Sequence, residues 1–336
     1  MDVQRMHDAK EVQAGNPAVL DHHELDHATS RINSIIRNIE KVILDKREAV
    51  ELVVVGLLAD GHVLLEDVPG VGKTMLARTL ARSVDAEFKR IQFTPDLLPA
   101  DVTGSNTYNQ QTMEFIFRKG PVFANIILAD EINRTSPRTQ SALLEGMDER
   151  TVTVDGVSYS LPRPFFVIAT QNPIEHQGTY DLPEAQLDRF MLRIGIGYPS
   201  IDLEVEILEA QREVHPLENL EHVSNPAELL ELQEKVTKVF VKPSLRRYIA
   251  EISANSRRHP DIQVGVSVRG SKLLMRAAQA IALMNHRGYV VPDDIQQISG
   301  SCLGHRVVLR PEARLAGITA GNVLKSILED IPVPAQ

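Results

Sequence analysis

The sequence predicts an α/β fold in which helices wrap a mostly parallel sheet, with a helical region after it. Short, continuous apolar runs are typical of strands buried on both faces, and three occur at Val63–Leu65, Ile126–Leu128 and Phe165–Ile168. Between them lie segments whose apolar residues recur at helical spacing, as expected for a parallel sheet. After about Tyr198 helical patterns predominate, which indicates a second domain.

The first of these strands runs into a glycine loop and then into a helix. Glycines let successive backbone N–H groups converge on an anion, and a helix N-terminus adds favourable dipole charge. The order of strand, glycine loop, Gly-Lys-Thr and helix indicates a phosphate-binding loop, in which Lys73 reaches the outer phosphates and Thr74 ligates Mg²⁺. The residues expected to hold the nucleotide are Asp67, Val68, Pro69, Gly70, Val71, Gly72, Lys73, Thr74 and Met75.

One position departs from the phosphate-loop pattern G-x-x-x-x-G-K-[ST]. Asp67 stands where the pattern has its first glycine, and this removes conformational freedom from the start of the loop. The alternative interpretation is an ordinary strand-to-helix turn that carries an incidental Gly-Lys-Thr. The flanking strand and helix favour the phosphate loop.

Two adjacent carboxylates, Asp130 and Glu131, follow the strand predicted at 126–128. The carboxyl ends of strands in an α/β sheet are where ligands are met. Asp130 is expected to hold Mg²⁺ together with Thr74, and Glu131 to polarise a water towards the γ-phosphate of ATP. Taken alone, the pair could be an exposed acidic strand end, but the phosphate loop earlier in the chain favours the catalytic interpretation.

Composition restricts the class of protein. A chain of 336 residues predicts about two domains, and no apolar run is long enough to span a membrane. The single cysteine excludes an intrachain disulfide and favours the reducing cytoplasm. A net charge of −9 argues against a globally basic nucleic-acid binder, and an aromatic content of 4% weakens any base-stacking role.

The N-terminal residues 1–28 are expected to form an acidic, mobile tail. Three histidines in this tail could suggest a metal site, namely His22, His23 and His27. Paired histidines on an acidic segment of this kind more often bind nothing, so the sequence favours no metal there.

Two segments between the predicted strands have turn chemistry. The proline-punctuated segment 94–104 is expected to be a loop, and Glu114–Phe117 with the turn after it predicts a short hairpin-like excursion. Thr151–Leu161 alternates β-branched residues around Asp155-Gly156, which predicts a β-hairpin with an exposed tip.

Four stretches together resemble the MoxR family of AAA+ ATPases: LLEDVPGVGKT, ILADEINR, ATQNPIEHQGTYDLPEAQLDRF and SVRGSKLLMRAAQAI. They occur in order between about residues 30 and 330, which is nearly the whole chain. The resemblance implies an AAA+ core that carries a helix-two insert and a pre-sensor hairpin, then a linker and an all-helical lid. The expected ranges are 29–198 for the core, 103–117 for the insert, 151–161 for the hairpin, 199–225 for the linker and 226–336 for the lid.

The resemblance also implies a role for each matching residue. Lys73 and Thr74 match the Walker A motif, and Asp130 and Glu131 match Walker B. Three residues match the elements that sense or stabilise the γ-phosphate: Asn172 as sensor 1, Arg189 as arginine finger and Arg269 as sensor 2. Val268 and Gly270 flank Arg269 in place of the proline- or alanine-rich form usual in this motif. His305 and Arg306 receive no role.

Family members are thought to act as hexameric, chaperone-like ATPases that mature or activate other complexes, often with proteins that bear von Willebrand factor A domains. The resemblance therefore implies an ATPase that uses ATP and Mg²⁺ to remodel a protein client. Two alternatives remain open at this point. One is a chelatase- or replication-type AAA+ subunit, and the other is a nucleotide-gated scaffold with little turnover.

Overall fold

A computed structural model gives the structure of the protein and describes residues 20–172, 179–199, 201, 204–205 and 217–334. The expected tail up to residue 19, residues 173–178 of the third family stretch and much of the expected linker lie outside the described residues. In chain order the strands are β1 (Val63–Glu66), β2 (Phe88–Gln92), β3 (Gly104–Asn109), β4 (Glu114–Lys119), β5 (Ile126–Asp130), β6 (Thr151–Val154), β7 (Val157–Ser160), β8 (Phe166–Gln171), β9 (Leu192–Ile194), β10 (Ile262–Val264) and β11 (Val308–Leu309).

The helices surround these strands and build the C-terminal region. They are α1 (His22–Glu40), α2 (Arg47–Leu58), α3 (Lys73–Ser83), α4 (Pro99–Thr103), α5 (Pro137–Glu149), α6 (Glu184–Leu187), α7 (Pro226–Lys238), α8 (Pro243–Arg258), α9 (Val268–Met284), α10 (Pro292–Leu303), α11 (Pro311–Leu315) and α12 (Ala320–Asp330). Short 3₁₀ helices lie at Pro121–Phe123, Ile132–Arg134 and Gly304–Arg306. No helix in the described ranges is both long and apolar enough to cross a membrane.

Five parallel strands form the central sheet in the order β2–β5–β8–β1–β9. The three runs identified from the sequence supply its middle strands β5, β8 and β1, where both faces are covered. Consecutive residues of β5 pack into two different apolar clusters, Leu128 on one face and Ile127 and Ala129 on the other. This two-sided burial is why the runs are continuously apolar, and the predicted α/β class is confirmed.

The C-terminal region is a helical lid made of α7–α12, with a short antiparallel ribbon of β10 and β11. The apolar faces of α1 and α2 pack with lid helices in one continuous core, so the N-terminal helices join the lid to the sheet. Helix α1 begins at His22, which corrects the expectation of a tail through residue 28. Asp21 caps it together with Glu24, and Leu25 and Ala28 are already buried.

Segment 94–104, expected to be a loop, contains the short helix α4. Its start is favoured by Pro99 at the first helical position and by Asp101, whose carboxylate accepts from the Leu98 N–H. The chain then forms two antiparallel hairpins, β3–β4 and β6–β7, at the positions of the expected insert and pre-sensor hairpin. Asp155 and Gly156 occupy the β6–β7 turn with positive φ angles, as the sequence predicts.

Candidate active site

The glycine loop lies between β1 and α3 at the carboxyl edge of the sheet, where the parallel strands end. Gly70 and Gly72 adopt φ angles of +88° and +90°, which residues with a Cβ rarely adopt. Because Gly72 immediately precedes α3, the loop delivers the chain directly to a helix N-terminus at Lys73. This arrangement is the anion-binding geometry that the sequence predicts.

Lys73 makes a hydrogen bond to the loop and interacts with the charges of the acidic pair. Its Nζ donates to the Asp67 carbonyl oxygen at 2.5 Å. Burial lowers the pKa of Lys73, and the negative charges of Asp67, Asp130 and Glu131 partly offset this effect. The fold therefore brings Lys73 and Asp130, which are 57 positions apart in sequence, near enough for the charge of one to affect the pKa of the other.

Asp67, the residue that departs from the glycine pattern, fastens the loop to the end of β9. Its carboxylate accepts from the N–H groups of Val68, Ile196 and Gly197 at 2.8, 2.7 and 2.6 Å. Burial alone would raise the pKa of Asp67, but these three donors and Lys73 outweigh burial and lower it. Asp67 is therefore held as a carboxylate that crosses from the phosphate loop to the neighbouring edge strand.

Asp130 is the last residue of β5 and has both carboxylate oxygens engaged. Arg90 of β2 donates to Oδ2 through Nε at 3.1 Å and Nη2 at 2.6 Å, and the Thr170 hydroxyl donates to Oδ1 at 2.6 Å. Arg90 and Thr170 come from the strands on either side of β5, so register in the sheet sets this arrangement.

Glu131 follows Asp130 in the left-handed backbone region, with φ +56°. Its N–H donates to Thr170 Oγ1 at 2.8 Å, and its carboxylate accepts from Gln92 Nε2 at 2.8 Å and Arg134 Nη1 at 3.2 Å. A non-glycine residue held at positive φ is a form of backbone strain that clusters at functional sites. The hydrogen bond from Gln92 ties the Glu131 side chain to the end of β2.

The residues around Lys73 fit a Mg²⁺–nucleotide pair in their donor chemistry. Mg²⁺ prefers oxygen ligands and is usually held by one or two carboxylates together with phosphate oxygens and water. Thr74, in the first turn of α3, supplies a hydroxyl, and Asp130 supplies a carboxylate at the same edge. A cation there would share the Asp130 carboxylate with Arg90.

Asn172 lies immediately after β8, the strand between β5 and β1. It is buried and sits at the same edge as the loop and the acidic pair. The sequence did not single out Arg90 and Gln92, which contact the acidic pair. Their polar side chains flank the buried Ile91 on β2, and this polar–apolar–polar order at the end of the strand was the available indication.

Arg189 and Arg269, the predicted arginine finger and sensor 2, lie elsewhere, at the amino edge of the sheet, where the strands begin. His62 lies at this edge, just before β1. Its Nδ1 accepts from the Val167 N–H, and its Nε2 donates to the Met147 carbonyl. Burial lowers the pKa of His62 to about 3, so it is neutral in this role. Met147 and Asp148, at the end of α5, therefore lie at the amino edge.

Asp148 contacts both arginines. Arg189, which precedes β9, donates to its Oδ2 at 2.9 Å, and Arg269 of α9 makes a two-pronged ion pair with it. Strand β1, with four residues, separates this edge from the phosphate loop by at least about 13 Å. Arg189 and Arg269 thus lie together, and apart from Lys73 of the same chain.

Arg306, to which the sequence assigned no role, joins the lid to the core. Its guanidinium is buried and donates to the Asp188 carboxylate at 2.8 Å and to the carbonyls of Asp188 and Phe190. Asp188 also accepts from Ser267, the N-cap of α9. Gly270 packs closely against this contact, so a Cβ added at this position would come within 2.9 Å of Arg306 Cδ. This explains the glycine that departs from the usual sensor 2 surroundings.

Comparison with known proteins identifies the family of the core and of the lid. Residues 62–192 match the family described as "ATPase family associated with various cellular activities (AAA)", and residues 254–327 match the AAA lid domain. A crystal structure of a protein assigned as an ATPase, from Cytophaga hutchinsonii, superimposes with a TM-score of 0.87 at 36% identity, and the match covers 99% of this chain and 100% of that one.

Three relatives differ in how similar their sequences are to this chain. The uncharacterised protein YeaC of Bacillus subtilis is 54% identical over 91% of this chain and 95% of its own length. Chaperone MoxR1 of Mycobacterium tuberculosis is 41% identical over 89% of this chain and 81% of its own. The magnesium-chelatase subunit ChlI of Nicotiana tabacum is more distant, at 29% over 54% of this chain. With a core and a lid that both match and relatives that align over nearly the whole length, this chain belongs to the MoxR family of AAA+ ATPases.

Proposed function

We propose that this protein hydrolyses ATP with Mg²⁺ and uses the energy to remodel a protein client. The observation that carries the proposal is the convergence of Lys73, Asp130 and Glu131 at one edge of the sheet, next to a glycine loop and a helix N-terminus. Strands β2, β5 and β8 and helix α3 hold these groups in place through backbone register and side-chain hydrogen bonds, and phosphoryl transfer requires preorganisation of this kind.

Each residue has a distinct task in this proposal. The loop N–H groups and Lys73 bind the phosphates, while Thr74 and Asp130 hold the cation, which neutralises phosphate charge when bound. Glu131 accepts a proton from the attacking water, and Asn172 orients that water or the γ-phosphate. Gln92 and Arg134, which hold the Glu131 carboxylate, set the direction from which it acts.

Arg189 and Arg269 complete the site from a neighbouring copy. Both lie at the amino edge, about a strand length or more from Lys73 of their own chain, so each would serve a nucleotide bound by another subunit. Repeating this contact head to tail closes a ring, and the proposed ring is a hexamer. We propose the cytoplasm as its location.

The name of the relative Chaperone MoxR1 supports a client-remodelling role. Exposed apolar side chains on the β3–β4 hairpin, including Met113 and Phe115, offer a surface for a protein client. A protein with a von Willebrand factor A domain is the proposed partner.

The test of ATP hydrolysis is the substitution Glu131→Gln. It keeps the shape of the side chain but removes the base, so ATP should still bind while turnover falls at least about a hundredfold. Lys73→Ala is the matched comparison, because it should weaken nucleotide binding itself. Calorimetry and a steady-state ATPase assay separate the two effects. Near-wild-type turnover in Glu131→Gln would contradict the proposed role of Glu131.

A further inference from the structure

One carboxylate, that of Asp148, lies between two arginines that belong to different domains. Arg189 comes from the core and donates to Asp148 Oδ2 at 2.9 Å, and a second anchor, the Leu144 carbonyl, accepts from the same Nη1 at 2.5 Å. Arg269 comes from the lid and donates to both oxygens, with Nη1 at 3.0 Å from Oδ2. The side chains of Arg189 and Arg269 remain 30% and 38% exposed, so both are accessible from solvent.

The approach of Arg269 to Asp148 is fixed by a second set of contacts beside it. Ser267 caps α9 and also donates to Asp188 at 3.0 Å, while the buried Arg306 holds the other oxygen of that carboxylate. Asp188 is the residue directly before Arg189. The start of α9 and the segment that carries Arg189 are therefore held together through Asp188. Asp148 pairs with the guanidinium groups of both Arg189 and Arg269.

Charge explains what the carboxylate does in this position. Two guanidinium groups at this separation repel each other, and a carboxylate between them offsets the repulsion. Two positive charges against one negative charge leave the group with one net positive charge, so the arginines can still attract an anion. Planar, fork-shaped donors of this kind bind phosphate and carboxylate groups in a two-pronged manner, and a nucleotide supplies the phosphate.

We propose that Asp148 is a positioning residue for ATP hydrolysis, which orients Arg189 and Arg269 as one pair towards the phosphates of a nucleotide bound by a neighbouring copy. This inference rests on the proposed function and adds to it a residue that touches no nucleotide. Asp148 acts only through the two arginines, and it makes their placement depend on the lid being docked against the core.

The substitution Asp148→Asn tests this role, because it keeps the shape of the side chain and removes the charge. Misplacing a catalytic group by about 1 Å can cost on the order of a hundredfold in rate. We expect kcat of the assembled protein to fall between about tenfold and about a hundredfold, with KM for ATP and calorimetric nucleotide affinity unchanged. Asp148→Glu restores the charge but lengthens the side chain by one methylene, so it should recover part of the loss and lie between Asp148→Asn and wild type.

Two further variants exclude a purely structural explanation. Asp60→Asn is the matched control, since Asp60 also lies at the amino edge and pairs with an arginine, Arg150, at 2.7 Å. It should leave kcat unchanged. In an Arg189→Ala, Arg269→Ala background, the small residual rate is measured in single-turnover reactions with enzyme in excess. Asp148→Asn should cause no further loss of that residual rate, because Asp148 then has no arginine to position.

An unchanged or increased kcat in Asp148→Asn would overturn the proposal, and so would a further loss in the double-arginine background. A fall in kcat that Asp60→Asn reproduces would overturn it as well. The Glu131→Gln protein separates this proposal from the proposed function. If Glu131→Gln is inactive while Asp148→Asn is normal, ATP hydrolysis stands and only the role of Asp148 fails.

Discussion

At the scale of single residues, Asp67 stands in place of a flexible glycine and ties the start of the phosphate loop to the chain that follows β9. A glycine at the start of the phosphate loop would leave the loop free to move relative to β9. The Asp67 carboxylate instead accepts three backbone N–H groups, two of them from Ile196 and Gly197 beyond the end of β9. Hydrogen bonds to a charged group are among the stronger ones, so the loop is held in its binding shape.

Replacing Asp67 with alanine should lower ATP affinity by about tenfold, or about 1.4 kcal/mol. Losing the anchor loosens the loop, while losing a negative charge near phosphate acts in the opposite direction. Since Lys73 and three N–H donors already balance that charge, we expect the loosening to dominate. Calorimetry checks the affinity, and Asp67→Asn should lie between alanine and wild type. Tighter binding in Asp67→Ala would show that charge dominates.

Local patterns correctly predicted where the candidate site residues lie relative to the strands, but they did not predict contacts between residues that are far apart in sequence. The glycine loop and the Asp130–Glu131 pair are contiguous in sequence, and their placement at strand ends follows from hydrophobic periodicity. The contacts of Asp67 with Gly197 and of Arg306 with Asp188 join positions more than 100 residues apart. Nothing in either local pattern specifies such a partner, because tertiary packing alone brings these positions together.

At the scale of secondary-structure elements, the two hairpins form one unit. Phe117 of β4 stacks on Tyr159 of β7 with ring centroids 4.1 Å apart, and Asn106 of β3 donates to Asp155 at the β6–β7 turn. The sequence predicted the β6–β7 hairpin with an exposed tip. That tip is exposed, but within this unit the most exposed apolar side chains are on β3–β4 and its turn, where Met113 and Phe115 are 72% and 73% exposed.

The proposed client contact is therefore tested on β3–β4. Met113→Ser with Phe115→Ser removes apolar surface without touching a buried residue, so ATP binding and basal turnover should stay unchanged. Stimulation of ATPase activity by a permanently unfolded polypeptide such as casein should be lost. Val157→Ser on the neighbouring hairpin is the control, since Val157 is exposed but begins strand β7, directly after the other turn. Full stimulation in the double variant would exclude this surface.

At the scale of the whole molecule, the subunit has two chemically different edges. The carboxyl edge carries the phosphate loop and the acidic pair, and the amino edge carries Arg189 and Arg269 on Asp148. If these residues act as we propose, a chain with its phosphate site at one edge and its arginines at the other cannot complete one pocket alone. The same two edges brought together between copies would complete every pocket in a closed ring.

This separation predicts that the protein is catalytically competent only as an oligomer. An arginine supplied by a neighbour stabilises charge on the transferring phosphoryl group and can contribute on the order of 10³ in rate. Specific ATPase activity should therefore rise with protein concentration as rings form. A monomer would lack this arginine however well its own Lys73 and Glu131 are placed.

Mixing two inactive proteins gives the sharper measurement. Arg189→Ala and Glu131→Gln should each be inactive alone, because one lacks the arginine and the other lacks the base. In mixed rings, some pockets combine an intact Glu131 with the intact Arg189 of a neighbour, so ATPase activity should partly return and depend on the mixing ratio. If Arg189 served its own nucleotide, every pocket would lack one of the two groups and no ratio would restore turnover. Such a result would remove Arg189 from the role of a finger acting between subunits.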